Sequence, residues 1–348
     1  MQSAELSSQG HGIVEASQVL GAGIVGLETT VCHTERILLR QGSEPRLHRG
    51  GMVSAELDDG TSLSLETMTL GDPDGWPVFS WPGVPGSVLD PSPEDSSLFA
   101  EGIKYIKVSR PGYGKSARHA GRIVADSATY LESVAKAYGI TRCSVIGRSG
   151  GGPSALACAA LLPELVVNTA IFSGTAPGES IHDWSNGMSE DNQRLYDMAG
   201  SNSGHLLAKF KAIARASERN PEVVLEIIES EMSLSDKSYL RRRPDIRNLI
   251  ALSHAYAMKY GPWGRYDDVI ATKSLPWGFD LQEITVPVLL AQGRHDTFTP
   301  VEHFEQLMTD IPTATGDYYD NVGHMEILEL VPEYIGRLRD QAHALLAA

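Results

Sequence analysis

The sequence predicts an α/β fold, with a mostly parallel eight-stranded sheet, a leading antiparallel hairpin and a helical cap inserted between two strands. Alternating apolar residues over 52–57 and 62–70 flank Asp59-Gly60, a pattern typical of a hairpin. Strand patterns then alternate with helical patterns, which favours parallel strands covered on both faces. The region 183–273 shows helical patterning without a strand, so we expect it to form the cap.

Hydrophobic periodicity places the remaining elements in order along the chain. Predicted strands cover 77–81, 103–109, 145–146, 167–172, 287–293 and 314–319. Predicted helices cover 123–138, 154–160, 191–199, 204–217, 221–232, 245–260, 301–307 and 326–346. We therefore divide the chain into an N-terminal extension (1–50), a core (51–178 and 276–348) and the cap (179–275).

The N-terminal extension contains a glycine pattern with two interpretations. Residues 21–26 match G-x-G-x-x-G, the fingerprint of dinucleotide-binding sheets, and Glu44 lies where a ribose-binding acid would be. The chain continues into an antiparallel hairpin, whereas the fingerprint needs a parallel nucleotide-binding sheet. We favour an appended segment that packs on the main domain or on a partner subunit, and we predict no cofactor.

Composition limits the classes of function. The 348 residues are 42% hydrophobic and 21% charged, as in ordinary globular proteins. The net charge of −15 disfavours nucleic acids and anionic membranes as partners. Three cysteines give no disulfide framework, and no metal-ligand spacing occurs among Cys and His. The first 35 residues contain no Lys or Arg, so they do not resemble a secretory signal. We expect a cytoplasmic protein with a small-molecule substrate and no metal.

One strand–turn–helix junction carries a G-x-S-x-G pattern, formed by Gly147, Ser149 and Gly151. A serine at the tip of a sharp strand-to-helix turn leaves no room for side chains two residues before and after it. The helix that follows points its free backbone N–H groups towards the serine. The junction therefore predicts a nucleophilic Ser149.

A serine nucleophile needs a base and an acid that orients the base. His324 follows the last strand pattern, and Asp296 follows the strand before it, so both should reach the edge that carries Ser149. The order Ser, Asp, His is the one found with this serine turn. Asp317 and Asp320 remain alternative acids, whereas His295 and His303 are interpreted as structural.

Acyl transfer also needs two N–H donors for the developing oxyanion. The backbone amide of Gly150, directly after the serine, is one candidate. We expect the other from the loop after the strand at 77–81. Pro82 and Pro85 have no N–H, so Val84 is the predicted donor.

These motifs together resemble the α/β-hydrolase superfamily, in the capped branch that includes proline iminopeptidases and many small esterases. The resemblance extends from residue 51 to the C-terminus. The family's His-Gly-x-Pro-Gly loop corresponds to 82–86, with Pro82 in place of histidine, and its Arg-Gly-x-Gly-x-Ser loop corresponds to 111–116. Its Gly-x-x-Asp and Gly-His elements match at Asp296 and His324.

The resemblance implies a serine hydrolase that cleaves an ester, thioester or amide through an acyl-enzyme. It leaves open a proline-releasing aminopeptidase, a C–C bond hydrolase and an acyltransferase. Acidic residues on the predicted cap helices could bind a substrate amine, although we favour a solvated face: Glu218, Glu222, Glu226 and Glu229. Alternatives from other classes are a binding protein without catalysis and a dinucleotide-dependent enzyme built on 21–26.

Overall fold

The computed structural model describes residues 50–347, except 58, 92, 94 and 202. The glycine pattern at 21–26 and the proposed contact of the N-terminal extension with a partner subunit lie outside the described residues. Within the described range, every helix is too short or too polar to cross a lipid bilayer.

The described residues form one eight-stranded sheet with the order β1-β2-β4-β3-β5-β6-β7-β8. The strands are β1 (Gly50–Glu56), β2 (Ser62–Gly71), β3 (Trp76–Trp81), β4 (Ile103–Val108), β5 (Cys143–Arg148), β6 (Val166–Phe172), β7 (Val288–Gly293) and β8 (Ala314–Tyr319). Strand β2 runs antiparallel to both of its neighbours, and the other pairs are parallel. The predicted fold class, including the leading hairpin, is confirmed.

Eleven α-helices accompany the sheet in the described part of the chain. They are α1 (Asp95–Ala100), α2 (Asp126–Ala137), α3 (Gly152–Leu161), α4 (Glu190–Ser201), α5 (Ser203–Arg219), α6 (Glu222–Glu231), α7 (Leu234–Arg242), α8 (Pro244–Ala257), α9 (Trp263–Lys273), α10 (Val301–Asp310) and α11 (Val331–Ala347). Helices α4 to α9 lie between β6 and β7, and we call them the helical insertion. Helices α1, α7 and α9 were absent from the prediction.

Apolar side chains cover both faces of the sheet and also fill the helical insertion. One face packs against α2, α3 and α10 through residues such as Leu131, Leu156 and Leu307. The other face packs against α11 through Tyr334 and Leu338. The helical insertion has a second apolar cluster, which Met325 of the core completes.

Buried ion pairs fasten α9 of the helical insertion to the segment that follows β4. Asp268 on α9 pairs with Arg110 at 2.8 Å and also with Arg122. The adjacent Asp267 pairs with Arg118 at 2.8 Å. Burial would raise the pKa of Asp268, but Arg110 and Arg122 outweigh burial and lower it. The charges therefore compensate one another at the junction between insertion and core.

Candidate active site

Ser149 lies in a sharp turn between β5 and α3. Its φ angle is 52°, in the left-handed region that side chains other than glycine rarely adopt. A Cβ on Gly147 would lie 2.6 Å from the carbonyl oxygen of Gly151, and a Cβ on Gly151 would lie 2.3 Å from that of Trp81. Only glycine fits both places, which explains the G-x-S-x-G pattern.

Replacing Gly151 by alanine is expected to destabilise the protein by about 3 kcal/mol, because the new methyl group would overlap the Trp81 and Pro82 carbonyls. The matched control is Gly200→Ala on α4, where a Cβ meets nothing within 4 Å. That change should stabilise by about 0.5–1 kcal/mol, since alanine favours helices. Urea denaturation measures both; equal stability of the two variants would contradict this account of the turn.

His324 and Asp296 form a buried hydrogen-bonded pair at the ends of β8 and β7. The Nδ1 atom of His324 lies 2.7 Å from Oδ2 of Asp296. The other oxygen of Asp296 accepts the backbone N–H groups of Phe298 and Thr299, both at 2.8 Å. The carboxylate is therefore fixed on one side of the imidazole, which leaves Nε2 for the opposite side.

The two alternative acids have other partners. Asp317 accepts a hydrogen bond from the Tyr334 hydroxyl at 2.8 Å. Asp320 pairs with Arg294 at 2.8 Å. Of the three candidate acids, the one that contacts His324 is Asp296.

A third carboxylate, Asp236 of helix α7, holds the loop that carries His324. Its oxygens accept the backbone N–H groups of His324 at 2.9 Å, Met325 at 2.7 Å and Glu326 at 3.3 Å. A Cβ on Gly323 would lie 2.5 Å from this carboxylate. Burial raises the pKa of Asp236, an effect that these hydrogen bonds only partly offset. The helical insertion thus fixes the backbone of the histidine loop.

The loop after β3 approaches the serine turn. A Cβ on Gly150 would lie 2.5 Å from Cγ2 of Val84 and 3.8 Å from its backbone nitrogen. That nitrogen donates to no group among the described residues. Arg110 donates hydrogen bonds to the carbonyls of Pro82 and Gly83. The proline at 82 therefore belongs to a loop whose carbonyls are held by an ion-paired arginine.

A second ion pair supports the residue directly before the serine. Nη2 of Arg148 lies 2.9 Å from Oδ2 of Asp90, and both side chains are buried. Lys107 donates to the backbone carbonyl of Asp90, and burial lowers the pKa of Lys107 to about 8. Arg148 therefore reaches the serine turn with its charge compensated.

One cavity of about 70 Å³ joins the predicted groups. Ser149, Gly150, Val84 and His324 line it from the core, and the helical insertion supplies the opposite wall, including Tyr196, Glu231, His254 and Arg265. Asp296 lies behind His324. The structure thus brings together all five site residues predicted from the sequence. Sequence reasoning missed Asp236, Arg265 and the function of Arg110.

Two buried histidines near the site predict a loss of stability in mild acid. Burial lowers the pKa of His254 to about 3 and that of His303 to about 4, from an ordinary 6.5. Between pH 6.5 and 4 the unfolded chain binds protons that the folded chain does not. The free energy of unfolding should therefore decrease as the pH is lowered from 6.5 to 4, by up to about 1.4 kcal/mol per pH unit for each histidine.

The variant His303→Asn isolates one of these contributions. The Nδ1 atom of His303 accepts the backbone N–H of Ala176 at 3.2 Å, and the amide oxygen of asparagine can replace it. Urea denaturation at pH 7, 6 and 5 should give a shallower pH slope for the variant. Identical slopes would show that His303 titrates normally in the folded protein.

Known proteins resemble this chain in sequence profile, in sequence and in structure. The profile of the alpha/beta hydrolase fold family matches residues 77–329. A 2-hydroxy-6-oxononadienedioate/2-hydroxy-6-oxononatrienedioate hydrolase of Paraburkholderia phymatum is 25% identical, over 85% of this chain and 92% of that protein. An esterase of Thermogutta terrifontis superposes with a TM-score of 0.62 and 18% identity, over 85% of this chain and 99% of that one. An enol-lactonase of Burkholderia xenovorans gives 0.61 and 15%, over 83% and 98%.

Proposed function

Because this chain belongs to the alpha/beta hydrolase fold family, we propose that it is a serine hydrolase that cleaves an ester of a small molecule. One observation carries the proposal: a serine with a φ angle of 52° shares a cavity with a histidine whose Nδ1 is paired with a buried carboxylate. Such a serine becomes a competent nucleophile when the histidine accepts its proton.

In the proposed first step, Oγ of Ser149 attacks the ester carbonyl while Nε2 of His324 takes the hydroxyl proton. Asp296 holds the imidazole and stabilises its charged form. The N–H groups of Val84 and Gly150 stabilise the oxyanion. The carbonyl re-forms, the C–O bond of the ester breaks, and the alcohol leaves with the proton from His324. No step of this sequence requires a cofactor.

In the second step, water replaces the alcohol. His324 removes a proton from the water, the resulting hydroxide attacks the acyl-enzyme, and Ser149 leaves with the returned proton. A cavity of about 70 Å³ has room for about two water molecules. A small acyl group therefore suits the site better than a long chain.

A second candidate is hydrolysis of a C–C bond in a hydroxy-oxo-dienoic acid. The observation that favours it is the name of the curated relative, which matches 92% of that protein's length. The same serine, histidine and aspartate would serve. For an amine-binding aminopeptidase, Glu222 and Glu229 of the helical insertion are unsuitable, because both pair with Arg247 at 2.8 Å.

The test compares substrates of the two candidates. We expect p-nitrophenol release from p-nitrophenyl acetate and butyrate by the purified protein, and loss of that release in Ser149→Ala. Ser201→Ala, on the exposed side of α4, is the matched control. Cleavage of a 2-hydroxy-6-oxo-dienoic acid without ester cleavage would select the second candidate. Activity of Ser149→Ala equal to that of the control would contradict both.

A further inference from the structure

Arg265, on helix α9, lines the candidate active-site cavity without a partner for its charge. No carboxylate oxygen lies within 4.0 Å of it among the described residues. Its Nε atom is buried without a hydrogen-bond acceptor. The guanidinium carbon lies 4.5 Å from the ring centre of Phe210, which holds the group in one place.

Two buried arginines of the core each form an ion pair with a carboxylate, whereas Arg265 forms none. Arg110 pairs with Asp268 at 2.8 Å, and Arg148 pairs with Asp90 at 2.9 Å. Arg265 is half-buried, and a charge that is partly removed from water without an ion-pair partner lowers the stability of the folded state unless a ligand completes the pair. Arginine stays protonated in proteins, and its planar fork matches the two oxygens of a carboxylate. The cavity beside Ser149 therefore lacks an anionic hydrogen-bond acceptor within reach of the Arg265 guanidinium.

The other ionisable groups on the same wall do not supply that acceptor. Glu231 accepts a hydrogen bond from the Ser189 hydroxyl at 2.7 Å, and although its charge and that of Arg265 attract each other, the two groups are too far apart to form an ion pair. Burial lowers the pKa of His254 to about 3, so its imidazole is neutral near pH 7. On the core wall, His324 is engaged with Asp296. Arg265 is thus the unpaired cation among the described residues of this cavity.

We propose that Arg265 binds a carboxylate carried by the substrate, so that the enzyme prefers half-esters of small dicarboxylic acids over neutral esters. This inference rests on the proposed function, since it places the scissile carbonyl at Ser149. The small cavity requires that only a few atoms separate the carboxylate from that carbonyl. The helical insertion would then select the substrate by charge as well as by size.

Two matched esters test the inference: mono-4-nitrophenyl adipate, which carries a carboxylate, and 4-nitrophenyl hexanoate, which does not. The wild type should prefer the adipate ester in kcat/KM. In Arg265→Gln this preference should fall roughly 10- to 100-fold, the range for a hydrogen bond to a charged group. The change should appear mainly in KM. Arg265→Lys, which keeps the charge without the fork, should lie between the two.

The control is Arg247→Gln, which removes an arginine of the helical insertion that has carboxylate partners. It should keep the wild-type preference between the two esters. If the wild type cleaves both esters equally, or if Arg265→Gln slows both by the same factor, the inference is wrong while the serine hydrolase stands. If Ser149→Ala still cleaves the hexanoate ester, it is the proposed function that fails.

A binding measurement keeps the inference testable without turnover. Adipate should raise the melting temperature of Ser149→Ala, and the additional substitution Arg265→Gln should abolish this shift. In the absence of adipate, Arg265→Gln should melt no lower than the wild type, because it removes a half-buried charge that forms no ion pair. A lower melting temperature without ligand, together with an unchanged adipate shift, would assign Arg265 to folding and overturn the proposal.

Discussion

Substituting glutamine for His324 is expected to lower kcat for ester hydrolysis by roughly 10⁶-fold, the size of effect seen when a catalytic triad loses its histidine base. Glutamine can still donate a hydrogen bond to Asp296, but it cannot accept the proton of Ser149 at neutral pH. The buried hydrogen bond of 2.7 Å should therefore survive while catalysis is lost. Initial rates with a p-nitrophenyl ester measure the effect.

The matched control is His295→Gln, which changes an exposed histidine next to Asp296 in the sequence. Its activity should stay close to that of the wild type. Thermal melting should show that both variants are folded. If His324→Gln kept more than a tenth of wild-type activity, proton transfer would not depend on this imidazole.

Replacing Asp236 by alanine is expected to give the second largest effect. Three backbone N–H groups around His324 would lose their acceptor, and each buried unsatisfied donor is destabilising by about 1–3 kcal/mol. We expect a loss of about 3 kcal/mol in the free energy of unfolding. A displacement of the histidine loop by about 1 Å would lower kcat roughly 10²-fold even in the folded protein.

Two variants separate positioning of His324 from general stability. Asp236→Asn keeps one carbonyl oxygen, so it should recover part of both losses. Asp197→Ala, on the exposed side of α4, should change neither. Rates are compared below the melting temperature of each variant. If kcat of Asp236→Ala falls only in proportion to its unfolded fraction, Asp236 has no positioning role.

The core of the site was predictable because its signals are local. Gly147, Ser149 and Gly151 form one turn, in which a side chain larger than glycine at 147 or 151 would overlap neighbouring atoms. The pattern that predicts the nucleophile is therefore contained in five consecutive residues. Asp296 and His324 each follow a buried strand by a few residues. The carboxyl ends of parallel strands lie at one edge of a sheet, so the predicted strands are enough to infer that these side chains lie close together.

The residues that support the site from outside the serine turn and the strand ends were not predictable, because they contact partners that are distant in the chain. Asp236 meets the histidine loop 88 positions away, and Arg110 meets Asp268 158 positions away. Helix α7 has only nine residues and is strongly polar, which weakens periodicity as a signal. One local sign of α7 existed: Ser233 accepts the backbone N–H of Asp236, as in a helix N-cap.

The most direct measurement of the central claim is covalent labelling of the nucleophile. The protein is incubated with a fluorophosphonate probe, digested and mapped by mass spectrometry. The account predicts one adduct, on the peptide that contains Ser149, and no adduct at that peptide in Ser149→Ala. An adduct on a different residue that persists in Ser149→Ala would contradict the account.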